Sequence, residues 1–314
     1  MVAPNVRIRT PSIVRSPARA VPRHACRVIA PIAMYACSVA AAQAPPNVDE
    51  LMARVGARLA DYYRRAQGVI CVEKSTVQPI ASNYASEGFA RTVESELRVE
   101  ADATDGQTAE PKVIREVRKI NGRPPRERDW TSRAGCTDPN PLSSEPLAFL
   151  LPSNRGEYRF TAAGYGKEKD RAAVLVDFRS ANRTSKPELI EDELGHDDCF
   201  DWSGPIAIQG RVWVDANTHD VLRIDRRILG PVDVKVPWRL QRRYHFSTWV
   251  TIERDDVSIR YRAVVFSEPD ETMLLPASID SLTVIHGGLQ SIRRTQTFSD
   301  YRRFLTAGRV VKHD

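Results

Sequence analysis

From Gly210 to Phe298, strand-like segments follow one another at hairpin spacing, with no helical pattern between them. Gly210-Arg211-Val212-Trp213-Val214-Asp215 reads as one strand, Ala216 to His219 as a turn, and Asp220 to Asp225 as the returning strand. Along the return, Leu222, Ile224, Arg226 and Ile228 alternate with Val221, Arg223, Asp225 and Arg227. A period of two sends neighbouring side chains to opposite faces, so one face is apolar and the other charged. Parallel strands need crossovers of about a dozen residues or more, usually helical. This chain leaves no room for them, so the pattern predicts an antiparallel meander with one wet face.

Further strands are expected over 69–79, 94–101, 112–121, 158–163, 172–179, 257–266, 274–285 and 290–298. Val232, Val234 and Val236 continue the alternation until Pro237, which lacks an N–H and must fall at a strand edge or end. Gly164-Tyr165-Gly166 reads as the turn of a hairpin, and Pro146 to Leu151 as a short apolar helix. Ahead of the strands, Leu51, Val55, Leu59 and Tyr62 recur at helical spacing. Asn47 or Asp49 can cap that helix, Arg64 and Arg65 suit its C-terminal dipole, and Gly68 ends it.

Charge identifies a different kind of segment at the start. Residues 1–44 contain Arg7, Arg9, Arg15, Arg19, Arg23 and Arg27 but no lysine, aspartate or glutamate. Without those six arginines, the remaining 40 basic residues balance the 40 acidic ones. The apolar run Val28 to Ala42 and the small-x-small triplet Ala42-Gln43-Ala44 complete the pattern of a secretion signal, with cleavage before Pro45. An uncleaved anchor and an organelle transit peptide are the other readings of this leader. The expected organisation is therefore a signal over 1–44 and a single domain over 45–314, in the periplasm or outer cell envelope. A neutral, exported domain also argues against a nucleic-acid partner.

Three cysteines remain beyond the leader: Cys71, Cys136 and Cys199. Cys136 and Cys199 lie in turn-rich segments, which favours a Cys136–Cys199 disulfide with Cys71 buried as a thiol. Three free thiols are the alternative.

A resemblance joins these features. The segment Gly210 to Asp225, then Leu274-Leu275-Pro276-Ala277-Ser278, then the closing Phe298-Ser299-Asp300-Tyr301-Arg302-Arg303-Phe304, resembles the periplasmic lipoprotein-carrier (LolA-like) superfamily and its exported bacterial relatives. The resemblance covers about residues 205 to 306. It implies a mainly β fold with α: a large curved antiparallel sheet, an incomplete barrel, with an N-terminal helix packed on its concave apolar side. Several members carry acyl chains or lipoproteins there. This chain departs from that pattern by being longer, with inserted segments around 121–156 and 181–205. The apolar sheet residues Val212, Val214, Leu222, Ile224, Leu282 and Val284 are the candidate ligand contacts.

Other chemistry is poorly represented. Glu188, Glu191, Asp192, Glu193, Asp197, Asp198 and Asp201, with His196 and Cys199, match neither a calcium loop nor a paired zinc pattern, and read as a solvated acidic loop. No histidine sits in His-Glu-x-x-His and no serine in Gly-x-Ser-x-Gly. No catalytic residue, metal or cofactor is expected. The pairs Trp238-Arg239, Arg242-Arg243-Tyr244, Arg260-Tyr261-Arg262 and Tyr301-Arg302-Arg303-Phe304 read as cross-strand Arg–carboxylate partners on the wet face.

Three functions compete. The first is a non-enzymatic envelope protein holding a lipid or lipoprotein acyl chain in a curved-sheet cavity. The second is an interaction module that grips an envelope partner through its Arg-rich face, including Arg223 and Arg227. The third, a hydrolase built on His196, Asp197 and Asp198, ranks last.

Overall fold

The computed structural model describes residues 47–66, 68–100, 112–126, 146–182, 186–191, 200–267 and 270–303. The chain divides into two compact units, 1–43 and 44–314, and all described residues belong to the second. The leader, Cys136, Cys199, His196, Asp197 and Asp198 lie outside the described residues.

Helix α1 (Val48–Ala66) is followed by strands β1 (Val69–Ile80), β2 (Arg91–Glu100) and β3 (Lys112–Ile120). Two 3-10 turns, Ala148–Leu150 and Arg155–Glu157, lead to β4 (Tyr158–Glu168) and β5 (Arg171–Ser180). Then come β6 (Leu189–Glu191), β7 (Phe200–Trp202), β8 (Ile208–Asp215), β9 (Val221–Ile228) and β10 (Val232–Lys235). Helix α2 (Trp238–Tyr244) precedes the long β11 (Trp249–Ser267), β12 (Asp270–His286) and β13 (Ser291–Arg303).

Eleven strands form one antiparallel sheet in the order β3-β2-β1-β13-β12-β11-β9-β8-β5-β4, with β10 paired to β11, while β6 and β7 pair separately. The edges β3 and β4 do not meet, so the barrel stays open. Bulges interrupt the register between β1 and β13, β2 and β3, β4 and β5, β8 and β9, and twice between β11 and β12. Each bulge bends its strand and increases the local twist, which is how a sheet this wide curls. Pro276 sits mid-strand in β12 at one of them, where its missing N–H leaves no gap in a regular ladder.

α1 forms as its sequence dictates. Asn47 Oδ1 accepts from the backbone N–H of Asp49 at 3.0 Å and of Glu50 at 3.3 Å, which caps the start. Gly68, at φ 77°, turns the chain into β1. Leu51, Met52, Val55 and Leu59 are buried and join Val176, Val212, Val214, Ile224, Ile259, Ile279 and Phe298 in the main core. The 19-residue helix is roughly 28 Å long at about 1.5 Å per residue. The seven strands from β4 to β13 span roughly 29 Å at about 4.8 Å per gap. One helix is thus long enough to cross most of the sheet.

Two expectations need correction. Gly164-Tyr165-Gly166 does not turn the β4–β5 hairpin; Gly164, at φ 101°, is a bulge, and the strands run on to a turn at Lys169 and Asp170. Trp238-Arg239 and Arg242-Arg243-Tyr244 lie on α2, not on strands, because Pro237 ends the β10 pattern and its fixed φ favours a helix start. Arg239 and Arg243 there both bond Glu191, at 2.7 and 3.0 Å. The segment packs Leu240 into a second core with Leu189, Val234, Val236, Val250 and Ile252.

Gly210 offers a sharp test of the packing. A Cβ built on it would lie 2.0 Å from the Asp225 carbonyl oxygen and 2.9 Å from Arg226 Cα, both backbone atoms of β9. Gly210→Ala should destabilise the fold by about 2 kcal/mol or more, since backbone cannot yield as a flexible side chain does. Urea unfolding checks this against Gly230→Ala, where an added Cβ meets open space.

Candidate functional site

The inner face of the sheet is closed. Val212, Val214 and Ile224 have no solvent exposure and lie in the core that α1 shares. Leu222 and Val284 are buried at 2% and 4%, outside that core cluster. Leu222 is displaced because a bulge pairs Val214 with Val221 and Trp213 with Arg223, so Val221 and Ile224 take the core positions. Leu282 belongs to the opposite face, where it lines a cleft. Three of the six apolar candidates therefore come together beneath the helix, and Leu282 lies apart from them.

The rim contacts of α1 are ionic. Arg58 Nε donates to Asp220 Oδ1 at 2.5 Å, in the turn between β8 and β9. Arg65 Nε donates to Glu271 Oε1 at 2.7 Å, and Arg303 bonds both Glu271 and the Arg65 carbonyl. Burial pushes the Glu271 carboxyl up, but the hydrogen bonds and charges of Arg65 and Arg303 outweigh it and hold it below the usual range.

Under β1, β2 and β13 the inner face turns polar. Glu73, Ser75, Ser95 and Gln296 are each 1% exposed. Arg115 grips Glu73 through two bonds, and Gln296 Nε2 donates to Glu73 Oε1 at 2.9 Å. Ser75 Oγ and Ser95 Oγ are buried without a hydrogen-bond partner among the described residues. Sequence reasoning missed this group, although a signal exists: Glu73 and Ser75 share the phase of Val69, Cys71 and Val77. Burial, then the Glu73 charge, pushes the neighbouring Cys71 thiol up to about 12.

The outer face holds a cleft of about 960 Å³. Strand register sets one row of side chains across it: Arg159, Arg179, Gln209, Arg227, Asp256, Leu282 and Arg293, each directly opposite the next. In the adjoining row, Arg211 bonds Asp177 at 2.6 and 3.0 Å, and Ser258 Oγ donates to Asp225 at 2.7 Å. Arg223 stacks over Trp213 at 4.6 Å while also bonding Asp225. Arg254 pairs with Asp256 at 2.5 Å. Of the strand arginines expected to meet carboxylates, Arg260 lies 3.9 Å from Glu168 and from Asp280, Arg302 lies 3.2 Å from Glu96, and Arg303 bonds Glu271. Arg211 also pairs across strands, whereas Arg223 and Arg254 each pair two residues along their own strand. Arg159, Arg179, Arg227 and Arg293 have no ion pair among the described residues.

No cluster of three or more metal-ligating side chains occurs among the described residues. No described helix is long and apolar enough to cross a membrane.

No protein-family model matches this chain, and no curated protein matches it. Among solved structures it is similar to one described as an outer membrane lipoprotein-sorting protein domain from Vibrio parahaemolyticus. That likeness has 8% identity and a TM-score of 0.31, over 83% of this chain and 94% of that one. A LolA superfamily protein from Nitrosomonas europaea is similar at 7% identity and a TM-score of 0.30, over 82% and 97%. Its structural neighbours are LolA-like.

Two outcomes test the inner face. Arg115→Met should cost about 3–5 kcal/mol by leaving Glu73 buried with one neutral partner, and adding Glu73→Leu should recover much of the loss. Equal stability of the single and double variants in urea would contradict the network. Cys71 should resist iodoacetamide at pH 8 until the protein is unfolded, as read by peptide mapping. The unfolded thiol ionises near its ordinary value of 9.0 while the folded thiol keeps its proton to about 12. Stability should therefore fall as pH rises through that window, less steeply in Cys71→Ala.

Proposed function

We propose that this chain is an exported, non-enzymatic protein of the cell envelope that holds an apolar ligand, a lipid or a lipoprotein acyl chain, between the curved sheet and α1. The observation that carries this reading is the way the inner face is closed. One amphipathic helix covers the apolar rows of several strands, and its rim is held by Arg58–Asp220 and by Arg65 and Arg303 on Glu271. Lifting α1 would uncover Val212, Val214 and Ile224 together, a continuous surface for an acyl chain. In the closed state these side chains fill one another's space, so ligand entry has to be coupled to helix movement. The arginine-rich leader with its apolar run supports export.

The outer cleft favours a second reading, in which the same protein engages an envelope partner through its arginine face. The two surfaces lie on opposite sides of the sheet and do not exclude each other.

Mass spectrometry of organic extracts from the purified protein should reveal co-purified acyl lipids. Arg58→Ala combined with Glu271→Ala removes the ion pairs that hold the rim and should raise uptake of cis-parinaric acid several-fold, with about 2–4 kcal/mol lost from stability. Lipid-free extracts together with no uptake by the unpinned variant would reject a ligand beneath α1.

A further inference from the structure

We propose that the row of unpaired arginines across the outer cleft is a docking track for an extended acidic segment of a partner polypeptide. The sheet pairs its charges elsewhere on this face: Asp177 has Arg211, Asp225 has Arg223 and Ser258, and Asp256 has Arg254. The row departs from that habit. Arg159 and Arg179 stand directly opposite each other on neighbouring strands, an arrangement of like charges that costs stability. Arg227 and Arg293 continue the line with no ion pair among the described residues, since Asp256, opposite Arg227, is held by Arg254. Four arginines without an ion pair along one line, two of them face to face, point to binding, not to folding.

Dimensions select the occupant. From β4 to β13 the row runs roughly 29 Å, far beyond the reach of a single phosphate or carboxylate. An extended peptide of about nine residues has that length. The floor is also mixed: Leu282 lies within the row, and Trp213 stands beside it under Arg223. Acidic and apolar side chains in alternation match this surface. A polymer with a charge at every step would meet Leu282 without gain and the four aspartates of the cleft with repulsion. Guanidinium forks bind carboxylates in two-point fashion and supply the register. The inference stands on the outer face alone and does not require α1 to open.

Fluorescence anisotropy with a labelled ten-residue peptide of alternating Glu and Val tests it on the whole protein. This peptide should bind, weaken steeply as salt is raised, and bind at least about tenfold better than its Gln-Val counterpart. Arg179→Gln with Arg227→Gln and Arg293→Gln should cost about tenfold or more, whereas Arg211→Gln, which removes an already paired charge, should stay within about twofold. Should the triple variant melt early, single Arg159→Gln and Arg293→Gln variants should each weaken binding about threefold. Equal binding of the Gln-Val peptide, or an unaffected variant set, overturns the proposal. So does binding to phosphatidylglycerol vesicles in place of the peptide. Lipid uptake beneath α1 is read separately, so either surface can fail while the other stands.

Discussion

The apolar stripe of α1 against the inner face of the sheet is the contact on which the remaining structure depends. Leu51, Met52, Val55 and Leu59 are buried there, at about 1.5–3 kcal/mol each by transfer, so together they match the net stability of a typical domain. Without the helix, Val176, Val212, Val214, Ile224 and Ile259 would face water across four neighbouring strands. Among the described residues the 3-10 turn at Ala148–Leu150 adds Leu147 and Leu150 to that core, while α2 packs on a separate one with β10 and β11. A meander of this width cannot bury its own inner face until it closes, and this one does not close. The helix takes the place of the missing strands.

This division of labour separates the two faces chemically. Inside, burial is the organising force, and the few polar groups that enter do so as a bonded set around Glu73 and Arg115. Outside, arginines and aspartates meet in water, where single pairs contribute little and are arranged with more freedom. Such freedom lets the unpaired row persist at small cost to the fold. The ionic rim of α1 lies between these two regimes: its half-buried pairs hold the helix by directional charge-assisted bonds.

Much of this architecture was legible in the residues. The alternation through Ile224 and Ile228, the helical spacing of Leu51, Val55 and Leu59, and the Asn47 cap all act locally, so local pattern reveals them. Bulges are another matter. Gly164 looks like a turn residue because the same positive φ serves both turns and bulges, and only the register with β5 separates them. The bulge at Leu222 likewise shifts which of its neighbours face the core. Helix α2 has seven residues, too few to display a period. The arginine row is the extreme case: its members come from four strands spread from Arg159 to Arg293, and which of them stand opposite depends on every bulge and turn between.

An open barrel also leaves two borders with free backbone groups, each capable of recruiting a strand from another molecule. On β3 the sequence Lys112-Val113-Ile114-Arg115-Glu116-Val117-Arg118-Lys119 places charge along most of that border, and Lys119 and Arg118 are tied back to Glu94 and Glu96. On β4 the bulge at Gly164 breaks the straight line a newcomer would need. Sideways growth into stacked assemblies is thereby discouraged, and encounters with other molecules are directed onto the flat of the sheet.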